Sequence, residues 1–324
     1  CYTFRLDRLS ELMSKFIFRR FLTSFLALIA STMVVFVISR GISDPAHLLL
    51  PQESYGMDPV EFEKLKDELH LNDSVPVQYW FWVSGIAHGD WGIDYATRAP
   101  IAPKLKAKWW PTAQLAFSAF IVATVLGIPL GILSAVKRGT YLDLGGRSFA
   151  VLGQSLPTFW LGIVGIFIFS VTLGWLPSGT MGEGFFLNKN LIMPTIVLAW
   201  LPMAGYLRLV RSAMLEVLDS EYIKLARAKG VSTRSVIWKH GFRNAILSPL
   251  TFAGVLLAGL ITGSVAVETI FAWPGIARWA VQAVFSNNLT VLGAVTLVFT
   301  FFFIIANFIV DILYAFVDPR LRLT

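Results

Sequence analysis

The feature that most limits what this 324-residue chain can fold into is a set of six long apolar runs. At a rise of 1.5 Å per residue, about 20 residues of helix cross a hydrocarbon core of about 30 Å. The runs cover roughly 20–39, 112–136, 148–174, 191–210, 245–270 and 290–316. In lipid each backbone N–H and C=O needs a partner within the protein, so the expected fold is an all-α polytopic membrane protein with six transmembrane helices. Composition points the same way: 56% of residues are hydrophobic, 15% are charged and the mean hydropathy is +0.66. These values argue against an ordinary soluble enzyme and against a disordered chain. The first run is too long and continuous for the apolar part of a cleaved signal peptide, and a charged segment without an obvious A-x-A site follows it.

Basic residues collect on the cytoplasmic side of membrane proteins. Arg5, Arg8, Lys15, Arg19 and Arg20 lie before or at the start of the first run, Lys137, Arg138 and Arg147 separate the second from the third, eight more lie from Arg208 to Arg243, and Arg320 and Arg322 follow the sixth. Those are 18 of the 27 basic residues. Both termini are therefore expected in the cytoplasm, and the net charge of +7 needs no nucleic acid to explain it. The layout that follows is a cytoplasmic N-terminal segment (1–19), a first transmembrane helix (20–39), a small extracytoplasmic domain (41–111), a five-helix core (112–316) containing a cytoplasmic loop (211–244), and a cytoplasmic tail (317–324).

Within the runs, Gly127 and Gly131 form a G-x-x-x-G, as do Gly259 and Gly263. That spacing lets helix backbones approach where lipid supplies no hydrophobic drive. Pro129 and Pro157 are expected to kink their helices, with Gln154, Ser155 and Thr158 as polar neighbours for the carbonyls freed near Pro157. Asn307 and Asp311 share one face near the cytoplasmic end of the last run, where packing outweighs chemistry. No metal site is expected: the histidines at 47, 70, 88 and 240 lack ligand spacing, and the single cysteine, Cys1, cannot build a thiolate cluster.

Two loops carry more information. The segment 41–111 is too long for a simple connection. In it Asp58, Pro59 and Glu61 supply an N-cap, an N1 proline and a capping-box acid for a helix whose Phe62, Leu65 and Leu69 share a face. Residues 75–92 then bring the Trp and Tyr of a membrane boundary, as a rim that receives a partner or as a lid over helix ends. In the loop 211–244, Ser220 is placed to cap a helix, Glu221 and Lys229 match its dipole, and Gly230 supplies the stop. The resulting helix has about nine residues and a length of roughly 14 Å. Leu218, Tyr222 and Leu225 make one stripe and Lys224 and Arg227 another, with Ala226 one turn before Gly230. A short helix with a small-residue end suits a groove on a partner, and a solvated basic linker is the alternative. At the outer end of the fifth run, Glu268, Trp273, Pro274 and Gly275 suit a gate or receptor contact, or a rigid turn.

EYIKLARAKGVSTRSVIWKHGFRNA, residues 221–245, resembles the EAA-type loop of ABC importer permeases of the dipeptide, oligopeptide and nickel family. The likeness extends to FIFRRFL at 16–22, HLNDSVPVQYWFW and HGDWG in the outer segment, RSAMLEVLDSEY before the loop, ITGSVAVETIFAWPGIARW at 261–279 and NFIVDILYAFVDPRLR near the C-terminus. It implies six transmembrane helices in the inner (cytoplasmic) membrane, a second homologous permease subunit, two cytoplasmic ABC ATPases that carry ATP and Mg, and an extracytoplasmic solute-binding protein. It also implies that the loop helix is a coupling helix docked in an ATPase cleft. Glu221, Ala226, Ala228 and Gly230 match the loop pattern here, with Arg227 and Lys229 between them and Tyr222 beside Glu221. The general pattern ends in an Ile-x-Leu-Pro element; His240, Gly241, Phe242 and Arg243 stand there instead, an ending similar to the peptide and nickel branch. Short peptides are the leading substrate class, ahead of oligosaccharides and nickel chelates. The sequence holds no G-x-x-x-x-G-K-[ST] phosphate loop, so the energy is expected from outside the chain. A gradient-driven carrier would need coupling carboxylates near mid-bilayer or interrupted helices in paired halves. An intramembrane enzyme would need paired carboxylates or a zinc site, and the sequence shows neither set clearly.

Overall fold

The structure, a computed structural model, describes residues 2–42, 59–68, 70, 72–94, 97–182, 188–286 and 288–317. Asp58, Leu69 and the tail 318–324, with Arg320 and Arg322, lie outside the described residues, as do the side chains of Glu61, Phe62, Leu65 and Asp311. In chain order the helices are α1 (Tyr2–Ile42), α2 (Pro59–Glu68) and α3 (Val75–Ala87); a two-stranded antiparallel hairpin, β1 (Ile93–Asp94) and β2 (Ala99–Pro100), pairs Ile93 with Pro100 and Asp94 with Ala99. Then come α4 (Ile101–Val136), α5 (Tyr141–Ser155), α6 (Thr158–Gly165) with its π-helical continuation Ile166–Thr172, α7 (Lys189–Leu218) and α8 (Glu221–Ala228). Short helical turns including the π-helical Val236–Phe242 lead to α9 (Leu247–Gly263), α10 (Val265–Ile270), α11 (Ile276–Phe285) and α12 (Leu289–Val317).

Among the described residues four helices are long and apolar enough to cross a bilayer alone: Ile17–Ile38, Ile101–Val136, Lys189–Leu218 and Thr290–Ile309. Two bent helix pairs also meet the same test of length and composition when each is taken as one unit. The third apolar run is not a kinked helix but a broken one, with Tyr141–Ser155 and Thr158–Thr172 bent by 103°. Proline disfavours helical geometry in the residue before it, and Leu156 accordingly takes extended angles ahead of Pro157. Of the polar neighbours named for that break, Ser155 returns its hydroxyl to the Val151 carbonyl at 2.8 Å and Gln154 accepts from Arg208 at 3.1 Å. The broken pair nevertheless follows α7 along its length: Asp143 meets Arg211, Gly146 faces Leu207, Gly153 abuts Ala204, and α6 shares a cavity lining with Met193, Ile196 and Trp200. The fifth run is bent by 45° between Leu247–Leu257 and Gly259–Ile270. By contrast α4 continues through Pro111 and Pro129, and α7 through Pro194 and Pro202.

Helix α4 already starts at Ile101, within the segment 41–111 read as the outer domain, with a proline in its first turn, where no intrahelical N–H bond is lost. The remainder of that segment is fastened to the core by polar contacts. Asp94, almost fully buried, accepts from Asn288 at 2.6 Å, Lys104 at 2.7 Å and Thr97 at 2.8 Å. Tyr79 on α3 bonds Thr32 on α1 at 2.8 Å, and the rings of Tyr79 and Trp82 flank Phe36.

The centre of the fold is the contact between α4 and α7. Leu115, Ala116, Ala119 and Ala123 bury against Leu198, Ala199, Met203 and Tyr206. A β-carbon on Gly127 would sit 2.7 Å from the Tyr206 Cβ and 2.9 Å from the Met203 carbonyl oxygen; on Gly131 it would sit 2.7 Å from the Val210 Cβ. The first G-x-x-x-G is thus a backbone-to-backbone contact, as expected. The second makes no such contact among the described residues: β-carbons on Gly259 and Gly263 would meet nothing within 4 Å there. The two pairs make a discriminating test. Alanine in place of a mid-helix glycine raises helix propensity by roughly 0.5–1 kcal/mol, yet Gly131→Ala is expected to destabilise by about 1–3 kcal/mol through overpacking. Thermal melts of the purified subunit should show a lowered midpoint for Gly131→Ala and no loss for Gly263→Ala.

Candidate functional site

The loop expected over 211–244 does form a short helix, and α8 runs from Glu221 to Ala228. Its stop is a Schellman motif. Gly230 adopts φ +79, its N–H bonds the Arg227 carbonyl at 2.9 Å, and the Val231 N–H reaches back to Ala226 at 3.2 Å. Lys229 is the capping residue beyond the last turn, one place later than the sequence suggested. Ser220 has the extended backbone of an N-cap, but its hydroxyl donates backward to the Val217 carbonyl at 2.5 Å and leaves the N–H groups of α8 alone. Glu221 occupies the positive end of the helix and pairs with Lys224 at 2.7 Å.

The inward face also differs from the expected stripe. Ile223 is fully buried and Ala226 half-buried, whereas Tyr222 and Leu225 are exposed and Leu218 belongs to α7, in the cluster around Val210 and Met214. Ile223 and Ala226, three apart, were the signal for this face. Tyr222 anchors α8 by its hydroxyl, which donates to the His240 carbonyl at 3.2 Å and accepts from Asn244 at 3.2 Å; Asn244 also bonds His240 at 2.7 Å. What remains outward is Leu225, 57% exposed, among Glu221, Lys224, Arg227, Ala228, Lys229 and Gly230. A β-carbon on Gly230 would find open space. The arrangement is a short helix held on one side and bare on the other, with an apolar knob between cationic side chains.

The stem of α8 is braced by residues the sequence did not single out. Asp143, in the first turn of α5 and 1% exposed, accepts from Arg211 through both Nε (2.7 Å) and Nη2 (3.1 Å), from Ser134 at 2.8 Å and from the Gly139 N–H at 3.0 Å; Arg147 stands at 3.6 Å. Nearer α8, Arg138 bonds Asp219 at 3.1 Å. The one hint was that Asp143 is the sole carboxylate among Lys137, Arg138 and Arg147.

At the opposite end of α4, Glu268, Trp273 and Gly275 lie in the interior and Pro274 is half-buried. Glu268 accepts from Thr112 (2.7 Å), Ser264 (2.9 Å) and the Arg278 N–H (2.9 Å). Thr112 in turn accepts from the Ile276 N–H at 2.8 Å, so the carboxylate and this hydroxyl together satisfy the first turn of α11. Trp273 donates to the Pro111 carbonyl at 2.9 Å, and a β-carbon on Gly275 would lie 2.3 Å from the Glu268 carboxylate. The four residues make a rigid turn, and of the four Pro274 has the most surface left open.

Residues 127–323 match the family of binding-protein-dependent transport system inner membrane components, and residues 13–107 match the N-terminal part of such membrane components. A putative peptide transport system permease protein of Brucella abortus is 40% identical over 285 residues, 86% of this chain and 89% of its own. The oligopeptide transport system permease protein AppB of Bacillus subtilis is 36% identical over 318 residues, 96% of this chain and 100% of its own. The dipeptide transport system permease protein DppB of Escherichia coli K12 is 35% identical over 339 aligned positions, covering 96% and 99%. Among solved structures, a chain of the MetNI methionine ABC transporter in inward-facing conformations shares the fold at TM-score 0.55 and 20% identity, over 66% of this chain and 96% of that one.

The turn around Glu268 yields a stability prediction. Gly275→Ala forces a methyl onto a buried, fully bonded carboxylate and should cost at least about 2–3 kcal/mol, the size expected for a broken buried network. Differential scanning calorimetry of the detergent-solubilised subunit measures it, and an unchanged melt would show that the turn has slack.

Proposed function

This chain belongs to the family of binding-protein-dependent transport system inner membrane components, and from that premise we propose that it forms half of the translocation pathway of an ATP-driven peptide importer. The names of AppB, DppB and the Brucella permease support oligopeptides or dipeptides as cargo, with oligosaccharides and nickel chelates as the alternatives. The other half of the pathway is a second homologous permease; two cytoplasmic ABC ATPases hold ATP and Mg, and an extracytoplasmic solute-binding protein delivers the cargo.

In this reading each bent pair crosses the inner membrane once, which gives six spans with both termini cytoplasmic. The passage of α5 and α6 together along α7 supports counting that pair as one crossing. The segment from α2 to β2 is then extracytoplasmic, and α8 is the cytoplasmic coupling helix. The observation that carries the assignment of α8 is its asymmetry: Ile223 and Tyr222 fix one side, while the side bearing Glu221, Leu225 and Ala228 is bare. An ATPase cleft that closes on ATP would grip that side and move the helix as a body. Glu268 and its turn hold the outer ends of α4, α10 and α11 in one arrangement, which suits a role in shaping the outer gate.

Two variants test the coupling role. Gly230→Arg costs about 1–2 kcal/mol in left-handed strain, small enough for the subunit to fold and insert, but it fills the open end of α8 with a bulky cation. ATP-driven uptake into proteoliposomes should fall to background; uptake at the wild-type rate would remove Gly230 from the interface. Glu221→Lys places a cation at the positive end of the helix and abolishes the pair with Lys224. ATPase binding, measured by co-purification, should weaken, and unchanged affinity would assign Glu221 a purely local role. Uptake by vesicles that lack the ATPases, driven by a proton gradient alone, would overturn the whole reading.

A further inference from the structure

The cluster around Asp143 sits where motion of α8 would have to enter the rest of the subunit. Two ion pairs join the α4–α5 turn to the end of α7, one deep and one at the surface: Asp143 with Arg211 at 2.7 Å, and Arg138 with Asp219 at 3.1 Å. Asp219 is the residue at which α7 gives way to α8. Between the turn and α8 lies a cavity of about 430 Å³, lined by Ala135, Arg138, Leu215, Asp219, Arg227 and Ile237 among others. That cavity stands between α8 and the turn, so the Arg138–Asp219 ion pair bridges its rim.

The deep pair is built for position. Both oxygens of Asp143 are used: Oδ1 accepts from Arg211 Nε and Ser134, and Oδ2 from Arg211 Nη2 and the Gly139 N–H. The guanidinium fork and the carboxylate meet in a bidentate pair, which fixes orientation as well as distance. Ser134 belongs to α4, Gly139 to the turn, Asp143 to α5 and Arg211 to α7, so one side chain fastens four segments. The α5 backbone is seated on two of them, since a β-carbon on Gly146 would lie 3.0 Å from the Ser134 hydroxyl and one on Gly153 would lie 2.5 Å from the Ala204 Cβ.

We propose that Asp143 is a positioning residue of the coupling step: it locks the α4–α5 turn to the stem of the coupling helix, so that α5 follows α8 when the ATPases close. This rests on the reading of α8 as the docked helix. Loss of the tie leaves docking intact and lets α7 move without carrying α5, so ATP is hydrolysed with less transport.

Asp143→Asn is the sharpest probe. It keeps the shape but replaces one acceptor oxygen with an NH2 group, which then confronts the N–H donors of Arg211 or Gly139. The whole transporter is reconstituted in proteoliposomes with its solute-binding protein, and ATPase co-purification, ATP hydrolysis and peptide uptake are measured together. The expected result is normal co-purification with uptake per ATP reduced by about tenfold or more, the size of effect typical of a lost charged hydrogen bond. Should Asp143→Asn fail to assemble, Arg211→Lys, which keeps the charge but loses the fork, decides by the same ratio, with an intermediate reduction expected. An assembled variant with the wild-type ratio overturns the proposal, and so does a parallel fall of hydrolysis and uptake, because structural support alone would produce it. Failure of the docking reading itself appears differently, as Gly230→Arg and Glu221→Lys complexes that bind ATPases and transport normally.

Discussion

Everything in this subunit hangs on the approach of two helix backbones at Gly127 and Gly131. In lipid, apolar side chains gain nothing by leaving their surroundings for one another, so the association of α4 with α7 has to come from close packing. Glycines on one helix let the Tyr206 and Val210 side chains of the other settle against bare backbone. With these two helices fixed, the others have surfaces to follow: α5 and α6 run along α7, α9 packs on α4 and α7, and α10 and α11 lock onto the N-terminal half of α4.

Two buried carboxylates then give the pair a defined top and bottom. Glu268 binds Thr112 and Asp143 binds Ser134, and these two positions of α4 are separated by about 33 Å of helix, close to the thickness of a hydrocarbon core. Buried charges of this kind add little net stability, because desolvation offsets attraction, but an unmatched partner is costly. Their value is therefore positional. Glu268 holds helix ends gathered near one end of α4, and Asp143 holds those near the other, so the two ends of one post are set by chemistry of the same type.

The six apolar runs, the first glycine pair and the Gly230 stop were legible because each depends on residues close together in the chain. Periodicity and local backbone preference carry such information. The two clamps depend on partners far apart: 68 residues separate Asp143 from Arg211, and 156 separate Thr112 from Glu268. A lone carboxylate among basic residues was the only trace of the first. Ser220 followed the sequence preference for an N-cap in its backbone while its hydroxyl took a different partner, a choice that only the neighbouring turn of α7 explains. Pro157 was readable as a disturbance, but whether a proline bends a helix or breaks it depends on the neighbours that accept the freed groups; α4 passes through two prolines intact and α5 does not pass through one.

The closed ends of α8 fix its length. The Schellman stop at Gly230 forbids another turn, and the bend at Asp219 and Ser220 prevents fusion with α7. Eight residues, about 12 Å, can neither stretch nor fray by adding or shedding hydrogen bonds under load. Such a segment behaves as a ruler: whatever seizes it can tilt or shift it, but none of the stroke is absorbed in winding and unwinding.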